Sequence, residues 1–216
     1  MVIKNEMNEL PLWSEFIQEY KLNATQVDQF NQYFSLVKKY NELFNLTTIV
    51  DPANIISYHF QDSLVVSKFL EFKAISMIAD VGTGAGFPGI PLKILFPHLN
   101  VKLIEVSNKK IDFLNVVIEQ LDLKKCAVIN MDWRTMLRKT DEPIDLFISR
   151  ASLHTDELMR MFRPSCIYNN RTLIYWASKE WQLAKIEEPF FQKEVLYSIK
   201  NRTRRLIFFN SARINE

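Results

Sequence analysis

Ile78-Ala-Asp-Val-Gly-Thr-Gly-Ala-Gly-Phe-Pro-Gly-Ile-Pro91 contains every glycine of this 216-residue chain: Gly82, Gly84, Gly86 and Gly89. At an average usage of about 7%, a chain of this length carries roughly fifteen. Glycine admits positive φ and lacks the Cβ that keeps a ligand away from the backbone. The window follows an apolar run, Ile75 to Val81, and leads into a segment opened by Pro91, a residue suited to a first helical turn. Strand, glycine turn and helix start together predict a nucleotide-type binding loop.

Outward from the window the pattern is regular. Short apolar runs predict strands over residues 75–81, 101–106, 126–130, 144–149 and 172–176. Helical spacing predicts helices over 91–96, 108–121, 133–138, 154–162 and 179–186. Such alternation implies a parallel sheet covered on both faces. The chain then changes character: residues 193–200 and 204–210 read as two strands joined by Asn201-Arg202-Thr203, a terminal hairpin. Upstream, the first seventy residues read as helical. Trp13, Phe16, Ile17 and Tyr20 lie at helical spacing, as do Val27, Phe30, Phe34, Val37 and Phe44 after a candidate N-cap at Thr25. A third helix is expected over 62–70. No glycine- or serine-rich linker separates this part, so a helical cap (1–70) packed on a main domain (71–216) is expected.

Composition narrows the setting. With 48% hydrophobic residues and 16 phenylalanines the chain has material for a buried core. Cys126 and Cys166 lack metal-ligand spacing and read as plain thiols of a reducing compartment. No apolar run approaches the ~20 residues that span a bilayer, and the N-terminus lacks the form of a signal peptide. A cytoplasmic, monomeric protein without metal or membrane partner is expected. The net charge of +2 is unevenly spread. Residues 160–216 carry 11 Lys/Arg against 5 Asp/Glu, including Arg202, Arg204 and Arg205, a surface that suits phosphates or simply faces solvent.

The window's chemistry separates two cofactor classes. Gly84-x-Gly86-x-x-Gly89 matches the dinucleotide fingerprint, and Glu105 ends the next predicted strand where a carboxylate accepts both hydroxyls of a ribose. The alternative for Glu105 is a cap on the helix that begins near Asn108. Asp80, just before the glycines, repels a pyrophosphate and attracts a cationic amino group. Pro88 and Pro91 remove two backbone donors that a diphosphate needs. Both features favour S-adenosylmethionine over a nicotinamide dinucleotide. There is no Asn-Pro-Pro-Tyr motif for exocyclic amines and no catalytic cysteine pair for pyrimidine carbons.

Asp80 to Pro91 resembles the cofactor loop of the RsmG (GidB) family, bacterial methyltransferases of small-subunit ribosomal RNA. The likeness extends upstream to Tyr40-Asn41, Asn45-Leu46-Thr47, His59 and Asp62-Ser63. Downstream it includes Lys109-Lys110-Ile111, Phe113-Leu114 and Ile148-Ser149-Arg150-Ala151. It covers about residues 30 to 155 well and the final hairpin more loosely. The resemblance implies an α/β fold of the class I methyltransferase, Rossmann-like type: a seven-stranded sheet with an antiparallel C-terminal hairpin and a helical N-terminal cap. It also implies transfer of a methyl group to guanine N7, a ribosomal RNA or small-subunit partner, and these roles. Gly82, Gly84, Gly86 and Phe87 line the methionine part of the cofactor, Asp80 organises the loop and the amino group, and Glu105 holds the ribose. Asp132, Trp133 and Arg134 lie near adenine, Trp133 equally serving as a core aromatic. Arg150 stands at the junction of cofactor and RNA; Lys179, in a segment that departs from the family, is read as joining it in the catalytic set from a shifted position, the alternative being a helix-surface lysine. Arg150, Lys179 and the 202–205 region contact RNA. Asn45, Asp62 and Ser63 tie the cap to the glycine loop, and His59 is structural.

Two departures from the family pattern stand out. Asp132-Trp133-Arg134 reverses the usual charges after the third strand, and Trp176-Ala177-Ser178-Lys179 replaces a Leu-Lys-Gly-like segment. A nicotinamide-dependent oxidoreductase, or a catalytically reduced RNA-binding assembly factor of the same fold, are the competing readings.

Overall fold

The terminal strands complete a seven-stranded sheet of order β3-β2-β1-β4-β5-β7-β6 in a computed structural model that describes residues 6–150 and 153–211. Strands β1 (Met77–Val81), β2 (Asn100–Glu105), β3 (Cys126–Asn130), β4 (Leu146–Arg150) and β5 (Thr172–Ser178) are parallel. The hairpin strands β6 (Phe191–Ile199) and β7 (Arg202–Phe209) close the sheet, β7 running antiparallel to both neighbours. Side chains alternate between the two faces, as strand geometry requires. Ile78, Leu103, Ile148 and Trp176 enter one core cluster, whereas Ala79, Ile104, Phe147 and Ala177 enter the other.

The N-terminal helices pack on the first face. α1 (Pro11–Tyr20) and α2 (Ala24–Phe44) contribute Phe16, Phe30, Tyr33 and Val37 to the same cluster as Ile90, Leu103 and Phe113. The cap therefore shares the sheet's core. Thr25 is not the cap residue of α2. Asn23 is, accepting from Gln26 N while the Gln26 side chain accepts from Asn23 N, a reciprocal capping box. The third helix begins ten residues earlier than expected, because Asp51 caps Asn54 N and Pro52 opens the first turn. It runs through α3 (Pro52–Ile55), a π-helical stretch (Ile56–Gln61), α4 (Asp62–Leu64) and a 3-10 turn (Val65–Lys68).

Between strands lie α5 (Gly89–Leu95), α6 (Asn108–Gln120), α7 (Trp133–Lys139) and α8 (Thr155–Leu158), the last continuing as a 3-10 turn, Met159–Phe162. The helix expected over 179–186 is absent. There Glu187 Oε2 accepts from Ala184 N, and the amides of Glu187 and Glu188 return to Ala184 O, so side-chain and turn bonds replace a helical ladder. Ala151, part of one resemblance motif, lies outside the described residues. No helix among the described residues is long and apolar enough to cross a membrane. Cys126 and Cys166 are free thiols, and burial pushes the Cys126 thiol up to about 12.

Candidate active site

Parallel pairing of β1 with β2 and β4 brings their C-terminal ends to one edge, where ligands bind in open α/β sheets. A cavity of about 430 Å³ opens there. Gly82, Thr83, Gly84 and Ala85 form part of its wall, Glu105 and Val106 another, and Met131, Asp132 and Trp133 a third. The cap closes it with Leu46, Thr47 and His59, beside Phe87 and Arg150.

The loop is held from within. Gly82 N and Thr83 N donate to Ile104 O at 3.0 and 3.1 Å, and Gly86 N and Phe87 N donate to Thr83 O. Gly82, Gly84 and Gly86 sit at φ of 65°, 63° and 97°, the region that excludes most side chains. Asp80 is fully buried beneath the loop. Its Oδ2 accepts from Thr83 Oγ1 at 2.6 Å and Gly89 N at 2.7 Å, while Oδ1 has no partner. Burial raises its carboxyl to about 6 against those hydrogen bonds.

Glu105 closes the loop from β2. Its Oε2 accepts from Gly84 N at 3.0 Å and its Oε1 from Val106 N and Ser107 N at 3.0 Å. The carboxylate both steadies the start of α6, whose N-cap is Ser107, and faces the cavity. The donors at the start of α5 are already used: Gly89 N by Asp80, Ile90 N by Gly86 O, with none on Pro91. A diphosphate would find no free amide at that helix end, and Asp80, predicted at the cofactor, lies beneath the loop outside the cavity lining, where its charge acts through the loop. Glycine backbone and the Glu105 carboxylate, both in the cavity wall, instead fit the polar groups of S-adenosylmethionine, with the Asp80 charge behind the loop.

Other expected residues fall in varied places. Phe87 lines the cavity, stacked on His59 with centroids 4.3 Å apart, and the Arg150 guanidinium lies 5.3 Å from its centre. Gly86 faces the cap: Tyr33 Oη donates to Ala85 O at 2.6 Å and would collide with a Cβ on Gly86. Trp133 lines the cavity and also packs edge-on against Phe147, its Nε1 donating to Glu157 O at 2.9 Å. Asp132 caps α7 through Thr135 N and Thr135 Oγ1 at the cavity rim. Arg134 is turned outward into a two-pronged ion pair with Glu157 and takes no part in the lining. Lys179 is likewise outside it, because β5 runs on to Ser178 and leaves the lysine exposed beyond the strand end.

Arg150 is the centre of a buried polar hub. One Nη donates to Asp62 Oδ2 at 2.9 Å and to Tyr58 O at 3.0 Å, the other to His59 Nδ1 at 3.2 Å. Asp62, fully buried, also accepts from Tyr197 Oη at 2.7 Å and lies 3.3 Å from Arg204 Nε. Its backbone oxygen accepts from Trp176 Nε1. Asp62 thus ties the cap to strands β4 to β7, and Tyr33 makes the tie to the glycine loop that the sequence assigned to Asp62. Ser63 Oγ donates within its own helix to His59 O, and Asn45 ends α2 in a left-handed conformation away from the cavity. The 202–205 cluster is largely engaged: Arg202 lies over Tyr58, Arg204 beside Asp62, and Arg205 pairs with Glu194 at 2.7 Å. Thr47 and Lys110 line the cavity although the sequence reading assigned them no role. Both stand inside the resemblance motifs quoted above, which was the available signal.

Strand order, the closing antiparallel strand and the glycine-walled cavity define a class I methyltransferase fold. Two solved structures share it: a SAM-dependent methyltransferase from Aquifex aeolicus (TM-score 0.56, 16% identity, 79% of this chain and 97% of that one), and a mutant of MtNAS in complex with S-adenosylmethionine (TM-score 0.59, 16% identity, 92% and 84%). The chain belongs to the GidB family, rRNA small subunit methyltransferase G, which it matches over residues 26–207. Proteins named ribosomal RNA small subunit methyltransferase G are similar to it. That of Lachnoclostridium phytofermentans is 41% identical over 158 residues, 70% of this chain and 65% of the relative. That of Acetivibrio thermocellus is 47% identical over 147 residues, 66% and 60%. The matched region thus spans a little under two thirds of either relative's length.

Proposed function

We propose that this protein is an S-adenosylmethionine-dependent methyltransferase that modifies guanine N7 in small-subunit ribosomal RNA. The observation that carries the cofactor class is the loop itself. Glu105 faces the cavity, Asp80 leaves one buried carboxylate oxygen unpartnered, and the α5 amides are already occupied. The substrate comes from the family and from the names of its relatives. On this reading residues 1–70 act as a cap over a methyltransferase unit of residues 71–216, and the protein works as a monomer in the bacterial cytoplasm.

When bound, S-adenosylmethionine would supply a methyl group on a cationic sulfur for the N7 lone pair, the thioether being the leaving group. Guanine N7 carries no proton, so no general base is required. His59 agrees with that chemistry, since its two ring nitrogens are engaged by Arg150 and Thr47. Burial and the adjacent guanidinium hold the imidazole well below the ordinary histidine range, so it stays neutral. The chain's contribution is alignment of two reactants in the cleft, worth up to about 7–11 kcal/mol in favourable systems.

Transfer of labelled methyl from S-adenosylmethionine to naked and subunit-bound ribosomal RNA tests the proposal, with the product mapped by mass and by the backbone lability of N7-methylguanosine. Binding of NADH without S-adenosylmethionine overturns the cofactor. RNA binding without transfer favours the assembly-factor reading.

Asp80 gives the reaction a pH signature. Its folded-state value of about 6 lies above the unfolded 3.8. Its share of folding stability is therefore present below pH ~4 and lost as pH rises through about 6. A cation bound above the loop opposes this preference. A ligand that lowers Asp80 by one unit binds about tenfold more tightly well above pH 6 than well below it. Calorimetric titration of S-adenosylmethionine between pH 5 and 7.5 is expected to show about a fivefold part of that rise, and Asp80→Asn to flatten it.

A further inference from the structure

Donor and acceptor counting at the cap side of the cavity leaves one group uncommitted. Arg150 is always protonated and can only donate, so we assign the acceptor lone pair to His59 Nδ1, 3.2 Å from its Nη, rather than a ring proton shared with the backbone of Tyr58, whose oxygen already accepts from Arg150. The ring proton is then on Nε2, which donates to Thr47 Oγ1 at 2.9 Å. Thr47 Oγ1 accepts a second bond from Ile49 N at 3.1 Å. Both lone pairs of the hydroxyl are filled, and its own hydrogen is left to donate. Thr47 lines the cavity together with His59, Phe87, Arg150, Glu105 and Trp133. The chain Asp62–Arg150–His59–Thr47 therefore converts a freely rotating hydroxyl into a fixed hydrogen-bond donor. Neutral His59 is a condition of this polarity, and its depressed basicity maintains it.

We propose that Thr47 is a specificity-determining residue that donates a hydrogen bond to O6 of the target guanine. This rests on the guanine-N7 reading above. The edge of guanine that carries N7 presents a second acceptor, O6, whereas adenine presents an amino donor there. N7 must keep its lone pair for the methyl group, so O6 is the one handle on that edge that a protein can grip. A donor fixed opposite O6 accepts guanine and meets the adenine amino group donor to donor. The purine ring becomes positively charged as the methyl arrives. A neutral hydroxyl avoids the like-charge repulsion that an arginine or lysine donor at O6 would add at that moment.

The test begins with the wild-type protein on RNA, to map the methylated guanosine. That RNA is then rebuilt with 2-aminopurine, which keeps N7 and lacks O6, at the mapped position. Thr47→Val, Thr47→Ser and wild-type proteins are compared on both RNAs, with S-adenosylmethionine affinity measured in parallel. Thr47→Val is expected to lower kcat/KM on guanosine by about ten- to hundredfold, the cost of an unpaired acceptor. Wild-type protein should lose a similar factor on 2-aminopurine, where Thr47→Val loses nothing more. Thr47→Ser should restore most of the activity, and cofactor affinity should stay within about threefold throughout. A merely structural role for Thr47 would slow both RNAs by the same factor, and that result overturns the inference while leaving the function intact. A change confined to cofactor affinity overturns it as well. Wild-type protein that methylates no guanine overturns the function itself, and the inference with it.

Discussion

Asp62→Ala is expected to lower the unfolding free energy by about 3–5 kcal/mol, the range for removing one partner of a buried ion pair. Asp62 is fully buried, and Arg150 and Arg204, whose side chains are 10% and 19% exposed, both lean on its carboxylate. Alanine would leave two nearly buried guanidinium groups facing one another without a counter-charge. Tyr197 would lose its acceptor. At about 2–4 °C per kcal/mol for a chain of this size, the melting temperature should fall by roughly 6–20 °C. Asp62→Asn keeps the shape and one acceptor oxygen, so it should fall between wild type and alanine. Thermal unfolding of the three proteins decides this. A shift of less than about 2 °C in the alanine variant would show that the arginines find other partners. The hub also aims Arg150 and, through His59, Thr47, so methyl transfer should fall further than the loss of folded protein explains.

Gly84→Ala and Gly86→Ala should separate ligand contact from fold. Both glycines have positive φ, which costs an alanine about 1–2 kcal/mol. A Cβ on Gly84 meets no atom within 4 Å, and the space it enters belongs to the cavity wall. That variant should fold with little more than the backbone penalty and bind S-adenosylmethionine about ten- to hundredfold more weakly, since an unaccommodated methyl group costs about 1–3 kcal/mol. On Gly86 the same atom lies 2.4 Å from Ile90 Cδ1 and 2.7 Å from Tyr33 Oη. Strain and overpacking together should destabilise by about 2–5 kcal/mol. The Tyr33–Ala85 bond that holds the cap against the loop should go with it. Paired measurements of melting temperature and cofactor affinity read out both effects. Wild-type affinity in Gly84→Ala would mean that the cofactor does not touch this part of the loop.

The contrast between those two glycines shows what sequence reading reached. A window holding all the glycines announces a backbone that must turn and be approached. It does not say which glycine faces the ligand and which faces Tyr33, because the fingerprint treats them alike. The strand–helix alternation, Glu105 at a strand end and the terminal hairpin were legible because each depends on residues within a few positions of one another. The helix expected over 179–186 failed for the converse reason. Its spacing permits a helix, but Glu187 and the anchoring of Trp181 and Phe190 in the second core fold the segment into turns.

The basic C-terminal third is visible in the sequence as a count of charges and not as a pattern of partners. Arg204 and Arg205 are matched by Asp62 and Glu194. Nothing in a local pattern records a partner that lies far along the chain. Arg150 and Asp62 are 88 residues apart, and Tyr197 and Asp62 135. By itself, the sequence determined the α/β class, the binding loop and its preference for a phosphate-free ligand, since turn chemistry, periodicity and missing donors are local properties. Only the tertiary structure decided that Asp62 is a hub, that Lys179 and Arg134 stand outside the cavity, and that Thr47 lines it. Those outcomes depend on which buried donors and acceptors meet across the folded core, where each must be paired and few choices remain.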